Sequence, residues 1–185
     1  MNQVIIVTGP AGAGKTVVAE AICERFDRML HVPVDTLRHW VKAGYRHPGV
    51  GDERDDEQML LAVRNASAIA RNSIAMRYAV VIDDVLVAHV AGWYRDALEG
   101  IPTAVQLVTL LPDLETTLAR DAVRRHPIPD RVRALHEQFA REIAEGALPG
   151  AVIDSTHDEN AYLTADRVMD AVATGEALFI APPAG

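Results

Sequence analysis

The sequence predicts an α/β fold in three layers, a parallel β-sheet with helices packed on both faces. Three observations lead there. Strand-like and helix-like segments alternate from one end of the chain to the other. The strand-like segments are unbroken apolar runs, as expected of strands buried on both faces. And the residues fit for chemistry gather at the carboxyl ends of those strands, where sheets of this kind hold their ligands.

The first strand is Val4-Ile5-Ile6-Val7, stopped by Gly9 and Pro10. Val18, Ile22 and Phe26 follow at helical spacing. Met29 to Val34 reads as the second strand, closed by Asp35. A loop rich in glycine, proline and charge runs from Gly44 to Asp56. Within it Asp55, with Gln58 three residues on, forms a capping-box-like helix start. The helix it opens carries Met59, Val63, Ala66 and Ala70 on one face. Ala79-Val80-Val81-Ile82 is the third strand and ends at Asp83-Asp84. The fourth, Ala104 to Leu111, leads through Pro112-Asp113 into another helix. Val132, Leu135, Phe139 and Ile143 stripe a further helix that Gly146 closes. Ala151-Val152-Ile153 makes a fifth short strand and Tyr162 to Val172 a last helix. The tail, Ala177 to Gly185, is expected to be loose. No repeat or linker divides the chain, so residues 1–185 are expected to form one domain with a lid at about 120–133.

Composition narrows the function. Hydrophobic residues make up 49% and charged residues 24%, a globular mix that excludes a fibre or a disordered chain. Aromatics are only 5%, so the core is aliphatic. Twenty-six acids against eighteen bases give −8, which argues against non-specific binding to nucleic acid or anionic membrane. The apolar run from Ile101 to Pro112 is too short to span a bilayer. Met1 to Val7 lacks the basic start of a signal peptide. The lone Cys23, expected to pack within the first helix, has no internal disulfide partner, and with the histidines it shows no metal-ligand spacing. A cytoplasmic protein, a monomer or homodimer, is the expectation.

Gly9-Pro10-Ala11-Gly12-Ala13-Gly14-Lys15-Thr16 fits G-x-x-x-x-G-K-[ST], the phosphate-binding P-loop. Its residue types follow from triphosphate chemistry. The glycines let backbone N–H groups curl around the β-phosphate, and the following helix adds the positive end of its dipole. Lys15 reaches the β- and γ-phosphates, and the Thr16 hydroxyl ligates Mg²⁺. A strand before the motif and an amphipathic helix after it complete the context. Nucleotide contacts are therefore expected along Gly9 to Thr16 and at Val17.

Asp83 and Asp84 end the most apolar strand, where a P-loop protein needs a carboxylate near Mg²⁺. Alternation sends the two side chains to opposite faces, so they do different jobs. Asp35 is a candidate catalytic base for an acceptor hydroxyl facing the γ-phosphate, the other role open to it being a cap on a helix near Thr36. Arg120, Arg124, Arg125, Arg131 and Arg133 surround His126-Pro127-Ile128-Pro129. Such a basic loop in an acidic protein suits a lid that neutralises charge on the γ-phosphate. Arg120 and Arg124, four apart, are expected to share a helical face. Ser155-Thr156-His157, after the fifth strand, are positioned for the adenine edge. Arg38-His39-Trp40 and Tyr45-Arg46-His47 lie where an acceptor would sit, and the residues His89, Trp93 and Tyr94 follow the aspartate pair. The acidic run Asp52 to Glu57 reads as a solvated helix start.

The absence of Asn-Lys-x-Asp, Thr-Lys-x-Asp and a post-strand Asp-x-x-Gly argues against a GTPase or a γ-phosphate switch of that type. The chain looks like the small-molecule and nucleotide kinase branch of P-loop proteins. It most resembles the chloramphenicol phosphotransferase-like family, through Gly9 to Thr16, Val34-Asp35-Thr36-Leu37, Ile82-Asp83-Asp84-Val85 and Ile153-Asp154-Ser155-Thr156-His157. A weaker likeness extends to shikimate and gluconate kinases and to tunicamycin-resistance proteins. The resemblance implies a five-stranded parallel sheet in the order 2-3-1-4-5. It also implies ATP- and Mg²⁺-dependent phosphorylation of a small-molecule hydroxyl, with Asp35 as base and Lys15 and Thr16 at the phosphates. Arg38 to Asp56 and His89 to Glu99, which shape the acceptor pocket, have no match in it. Two other readings stay open: a nucleotide-gated ATPase or binding module, and a nucleoside or nucleotide-sugar kinase.

Overall fold

The structure, a computed structural model, describes residues 2–48 and 53–183. Five strands run parallel: β1 (Val4–Thr8), β2 (Met29–Pro33), β3 (Ala79–Asp83), β4 (Val105–Leu110) and β5 (Ala151–Ile153). Their order is β2-β3-β1-β4-β5, as the resemblance implied. β1 sits at the centre, pairing Ile6 with Ile82 on one side and with Leu107 on the other. Helices α1 (Lys15–Cys23), α2 (Val34–Arg38), α3 (Glu53–Ala75), α4 (Ala88–Leu98), α5 (Leu114–Ala122), α6 (Pro129–Ala144) and α7 (Ala161–Thr174) connect them.

The two faces of β1 explain the layering. Successive side chains of a strand point to opposite sides. Val4 and Ile6 accordingly join the cluster under α3 and α4, with Val63, Ala70, Val90 and Leu98. Ile5 and Val7 join the opposite one, under α1 and α7, with Val18, Ile22 and Val168. All five β1 residues are fully buried, so the central strand gains from both faces. Cys23, half-buried at the end of α1, packs against the second cluster. Among the described residues no helix is long and apolar enough to cross a membrane.

Two expectations need correction here. The sheet has a sixth strand, β6 (Leu178–Ile180), antiparallel to β4, inside the tail expected to be loose. Phe179 holds it: the ring is buried, and the Arg95 guanidinium stacks 4.6 Å from its centroid. Ala184 and Gly185, the end of that tail, lie outside the described residues. The second correction concerns the start of α3. The helix is already under way at Glu53, so Asp55 lies inside its first turn and does not open it, and it is a buried ion-pair partner: Arg38 Nη2 donates to its Oδ1 at 3.1 Å. Gln58 instead steadies the preceding loop, accepting from Arg46 N–H at 2.9 Å and donating to the Gly44 carbonyl at 2.8 Å. Asp52 and the loop at 49–52 lie outside the described residues.

Asp113 caps α5 through Thr116 N–H, as its place after the fourth strand suggested. Asn160 does the same for α7, accepting from the N–H groups of Tyr162 and Leu163.

Candidate active site

The phosphate cradle begins where β1 ends. The Thr8 hydroxyl accepts from Leu86 N–H at 2.7 Å and donates to the Leu86 carbonyl, which ties the end of β1 to the segment after β3. The chain then turns through Gly9 and Gly12, both at positive φ (141° and 88°). A Cβ at Gly9 would collide with the Leu110 carbonyl oxygen and one at Gly12 with the Thr117 carbonyl oxygen. The loop therefore lies flush on β4 and α5, and only glycine fits at either place. Ala13 N–H closes the turn onto the Pro10 carbonyl at 3.2 Å. No side chain caps the start of α1 behind it.

Lys15 Nζ donates to the Pro10 carbonyl at 3.0 Å, so the ammonium is folded over the loop. Burial pulls its pKa down, and the negative charges of Asp83 and Asp84 push it back up. The Thr16 hydroxyl donates to Asp83 Oδ2 at 2.6 Å, joining the first turn of α1 to the end of β3. Burial works against the Asp83 carboxylate. His31, Lys15 and Thr16 together outweigh that and hold its carboxyl below the usual carboxylate range. His31 Nε2 stands 3.7 Å from Asp83 Oδ2, too far for a hydrogen bond, so it acts at a distance.

Asp84 has different neighbours, as the strand alternation foretold. Its Oδ2 accepts from the Tyr94 hydroxyl at 2.9 Å and its Oδ1 from Val85 N–H at 2.8 Å. Burial pushes its pKa up to about 6 despite both hydrogen bonds. Tyr94 is raised well above its ordinary value, by burial first and then by the Asp84 charge.

Beyond the P-loop opens a cleft of about 440 Å³ lined by Lys15, Thr16, Asp35, Asp83, Asp84 and Arg124. Asp35 occupies the first turn of α2, and its side chain is 79% exposed. It does not cap that helix, whose N-cap position is Pro33 with no side-chain bond. His39 Nδ1 bonds the Asp35 carbonyl at 2.7 Å and lies 3.7 Å from its Oδ2. The far wall carries Arg38, Tyr45 and His47, with the Tyr45 ring stacked on His39 and edge-on to His47. Trp40 is 62% exposed and does not line the cleft. Of the other aromatic group, Tyr94 reaches the site through Asp84. His89 packs edge-on to Trp93, which borders a separate groove between α3 and α4.

The two arginines expected on one helical face part company. α5 ends at Ala122, so Arg124 lies beyond it and faces the main cleft, 3.8 Å from Asp121 Oδ1. Arg120 turns the other way. Its Nη1 donates to the Ala13 carbonyl at 3.4 Å and its Nη2 to the Ser155 carbonyl at 3.1 Å, bracing the back of the P-loop. There it lines a smaller cavity of about 220 Å³ together with Gly14, Val17 and Ser155. Val17 is exposed and Ser155 buried. Thr156 is spent internally, its Oγ1 accepting from Asp113 N–H at 2.7 Å. The segment 123–128 links α5 to α6, and buried Asp121 anchors its end by accepting from Ile128 N–H at 2.7 Å. Arg131 at the start of α6 also faces the main cleft, whereas Arg125 and Arg133 do not line it. No sequence motif marks Asp121, whose bond spans the turn between α5 and α6, or the Tyr94–Asp84 bond, which forms only when α4 packs against the end of β3.

The oxygen donors at the P-loop end, the Thr16 hydroxyl and the Asp83 carboxylate, suit a hard cation such as Mg²⁺, which takes one or two carboxylates and completes its shell with phosphate and water.

Comparison with known proteins agrees with this fold. A family model described as an AAA domain matches residues 4–149. No curated protein matches the chain. Among solved structures, the Deinococcus radiodurans tunicamycin resistance protein superposes with a TM-score of 0.68 at 18% identity, covering 99% of this chain and 100% of that one. A gluconokinase from Sinorhizobium meliloti gives 0.67 at 16% identity, covering 94% and 93%. The Acinetobacter baumannii shikimate kinase, solved with shikimate, gives 0.60 at 20% identity, covering 95% of each. At these identities the likeness is one of fold, the P-loop kinase fold.

Proposed function

We infer the function from one premise: the chain belongs to the AAA-domain family, with the P-loop kinase fold. The reading it supports best is a phosphotransferase that moves the γ-phosphoryl group of ATP to a hydroxyl of a small molecule. The observation that carries it is the 2.6 Å bond from Thr16 to Asp83 beside Lys15, opening onto a cleft whose other wall bears Asp35.

In this reading Lys15 leaves the Pro10 carbonyl and takes up the β- and γ-phosphate oxygens. The backbone N–H groups from Gly12 to Thr16 hold the β-phosphate. Mg²⁺, held by Thr16 and Asp83, would neutralise charge on the β- and γ-oxygens. Asp35 accepts the proton of the acceptor hydroxyl as its oxygen attacks Pγ; the bond from Pγ to the bridging oxygen breaks, and that oxygen leaves with ADP. Arg124 faces the same cleft as Lys15 and stabilises charge on the transferring group. Arg120 supports the P-loop from behind, next to the nucleotide.

The test is transfer from γ-labelled ATP to a pooled panel of hydroxylated metabolites, antibiotics and nucleosides, with Lys15→Ala as the blank. A labelled product absent from the blank is expected. Asp35→Asn should then lower kcat by about 10²–10⁴-fold, the usual worth of a general base, while Mg-ATP binding persists. Transfer unchanged in Asp35→Asn would remove Asp35 from the mechanism. Tight Mg-ATP binding with a partner captured in only one nucleotide state would favour the gated ATPase instead.

A further inference from the structure

We propose that the acceptor carries an anionic group, a carboxylate or a phosphate ester, which docks between Arg131 and Arg38 while its hydroxyl faces Asp35. This rests on the phosphotransfer reading and adds the substrate class.

Among the described residues, the lysine and arginines lining the cleft are Lys15, Arg38, Arg124 and Arg131. Two have work at the nucleotide end. Lys15 lies on the P-loop, and Arg124 is close enough to Lys15 to depress its pKa. The other two line the cleft from the end of α2, one turn after Asp35, and from the start of α6. Arg38 is paired with Asp55 through Nη2 alone; its side chain is only 10% exposed, and its Nε is buried without a hydrogen-bond partner. Arg131, on α6, makes no hydrogen bond or ion pair among the described residues, although it is half-buried. Burial, and then repulsion from Arg38, pull its pKa below the ordinary arginine value; the Asp55 and Asp35 charges push back but do not offset them, so the two guanidiniums feel each other in the cleft.

A desolvated cation facing a second cation is costly unless an anion arrives. Among the described residues, the buried acids nearby are already engaged. Asp55 is bonded to Arg38, Asp84 to Tyr94, and Asp83 to Thr16. Asp35 is mostly exposed and lies beside His39. The planar guanidinium fork matches a carboxylate or phosphate, whose two oxygens can take two N–H donors at once. Tyr45 and the histidines flanking it supply a partly aromatic wall on the Arg38 side, suited to a ring or chain leading from the anion to the reacting hydroxyl.

Two measurements separate this inference from the reading beneath it. In the first, protein loaded with Mg-ADP, so that the P-loop is filled, is titrated with citrate and separately with glycerol phosphate. Either should raise the Tm of the wild type and leave Arg131→Gln unmoved; no rise with both overturns the anion site whatever the acceptor. In the second, labelled transfer is measured to hydroxy acids and sugar phosphates, each beside its carboxamide or unphosphorylated counterpart. Anionic members should be labelled and their uncharged counterparts at least about tenfold less, the loss of one charge-assisted hydrogen bond. The arm that carries label identifies the anion. Arg131→Gln should raise the acceptor KM about 10–150-fold with the ATP KM unchanged, and Arg131→Lys should fall between. Equal labelling of the uncharged counterparts, or an effect of Arg131→Gln on the ATP KM instead, overturns the inference and leaves phosphotransfer standing. Citrate binding that needs Arg131, with no label in any member, supports the anion site and overturns the phosphotransfer.

Discussion

The Tyr94 hydroxyl donates a 2.9 Å hydrogen bond to Asp84 Oδ2, one residue beyond the carboxylate that holds Thr16. A tyrosine of the core, fully buried, thus fixes one of the two acids at the end of the central strands. Two adjacent aspartates thereby acquire opposite characters. Asp83 is held ionised by its neighbours, and Asp84 is pushed towards neutrality by burial.

That difference is visible in stability. An aspartate titrates near ~4 in an unfolded chain, whereas Asp84 titrates at about 6 in the folded protein. A raised pKa means that the folded state holds the proton more tightly. The stabilisation is complete below the unfolded value and is lost as pH rises through about 6. In EDTA and without nucleotide, the wild type should lose roughly 1–3 kcal/mol relative to Asp84→Asn between those two values. Denaturant titrations of both proteins across that range check it; parallel curves would mean that Asp84 titrates normally.

Gly9 and Gly12 make a sharper prediction. Gly12→Ala drives a methyl group into the Thr117 carbonyl and Gly9→Ala into that of Leu110, both at positive φ. Each should lower Tm and abolish Mg-ATP binding measured by calorimetry. Gly146, at φ 66° with open space around its Cβ position, is the control. Gly146→Ala should cost only the left-handed strain, about 1–2 kcal/mol, and leave nucleotide binding intact.

Asp55 should behave as half of a buried pair. The side chains of Arg38 and Asp55 are 10% and 3% exposed. Asp55→Ala removes the counter-charge and should destabilise the protein by about 3–5 kcal/mol in urea unfolding. Replacing both, Arg38→Met with Asp55→Leu, should recover most of that loss, because an apolar pair of similar volume carries no stranded charge. Failure of the double replacement to recover stability would mean that the pair itself is worth more than an apolar contact.

Asn160 offers the plainest test of local structure. It accepts from two N–H groups of α7, and Asn160→Ala should cost about 1 kcal/mol, a fall in Tm of roughly 2–4 °C. Thermal unfolding reads it directly.

The sequence made legible what depends on local pattern. Val4 to Val7 reads as a strand because all its residues are apolar, and the glycines that follow read as a phosphate loop because only they fit its backbone. That Asp83 and Asp84 point to different neighbours follows from strand alternation, while their opposite characters come from the partners met there. What stayed hidden was decided by residues far along the chain. Asp55 with Gln58 has the local signature of a cap, but Arg38, from another segment, claims the carboxylate first. Arg120 and Arg124 have helical spacing, but the helix stops between them. Leu178 to Ile180 sits just before two prolines and looked like a frayed end, yet one phenylalanine docks it. The side of the main cleft away from the P-loop is built from α2, the loop after it and α6, a convergence that no local pattern carries.

The shared edge of β4 bears on how the chain is made. β5 covers the carboxyl-terminal part of that edge, and β6 returns antiparallel to cover Val105 and Gln106. Until Leu178 to Ile180 have been synthesised, a nascent chain exposes that stretch of a largely apolar strand with its backbone groups free to pair with a neighbour. The final short strand thus works as a protective cover against self-association during biogenesis, and a chain stopped after α7 should be recovered chiefly from the insoluble fraction.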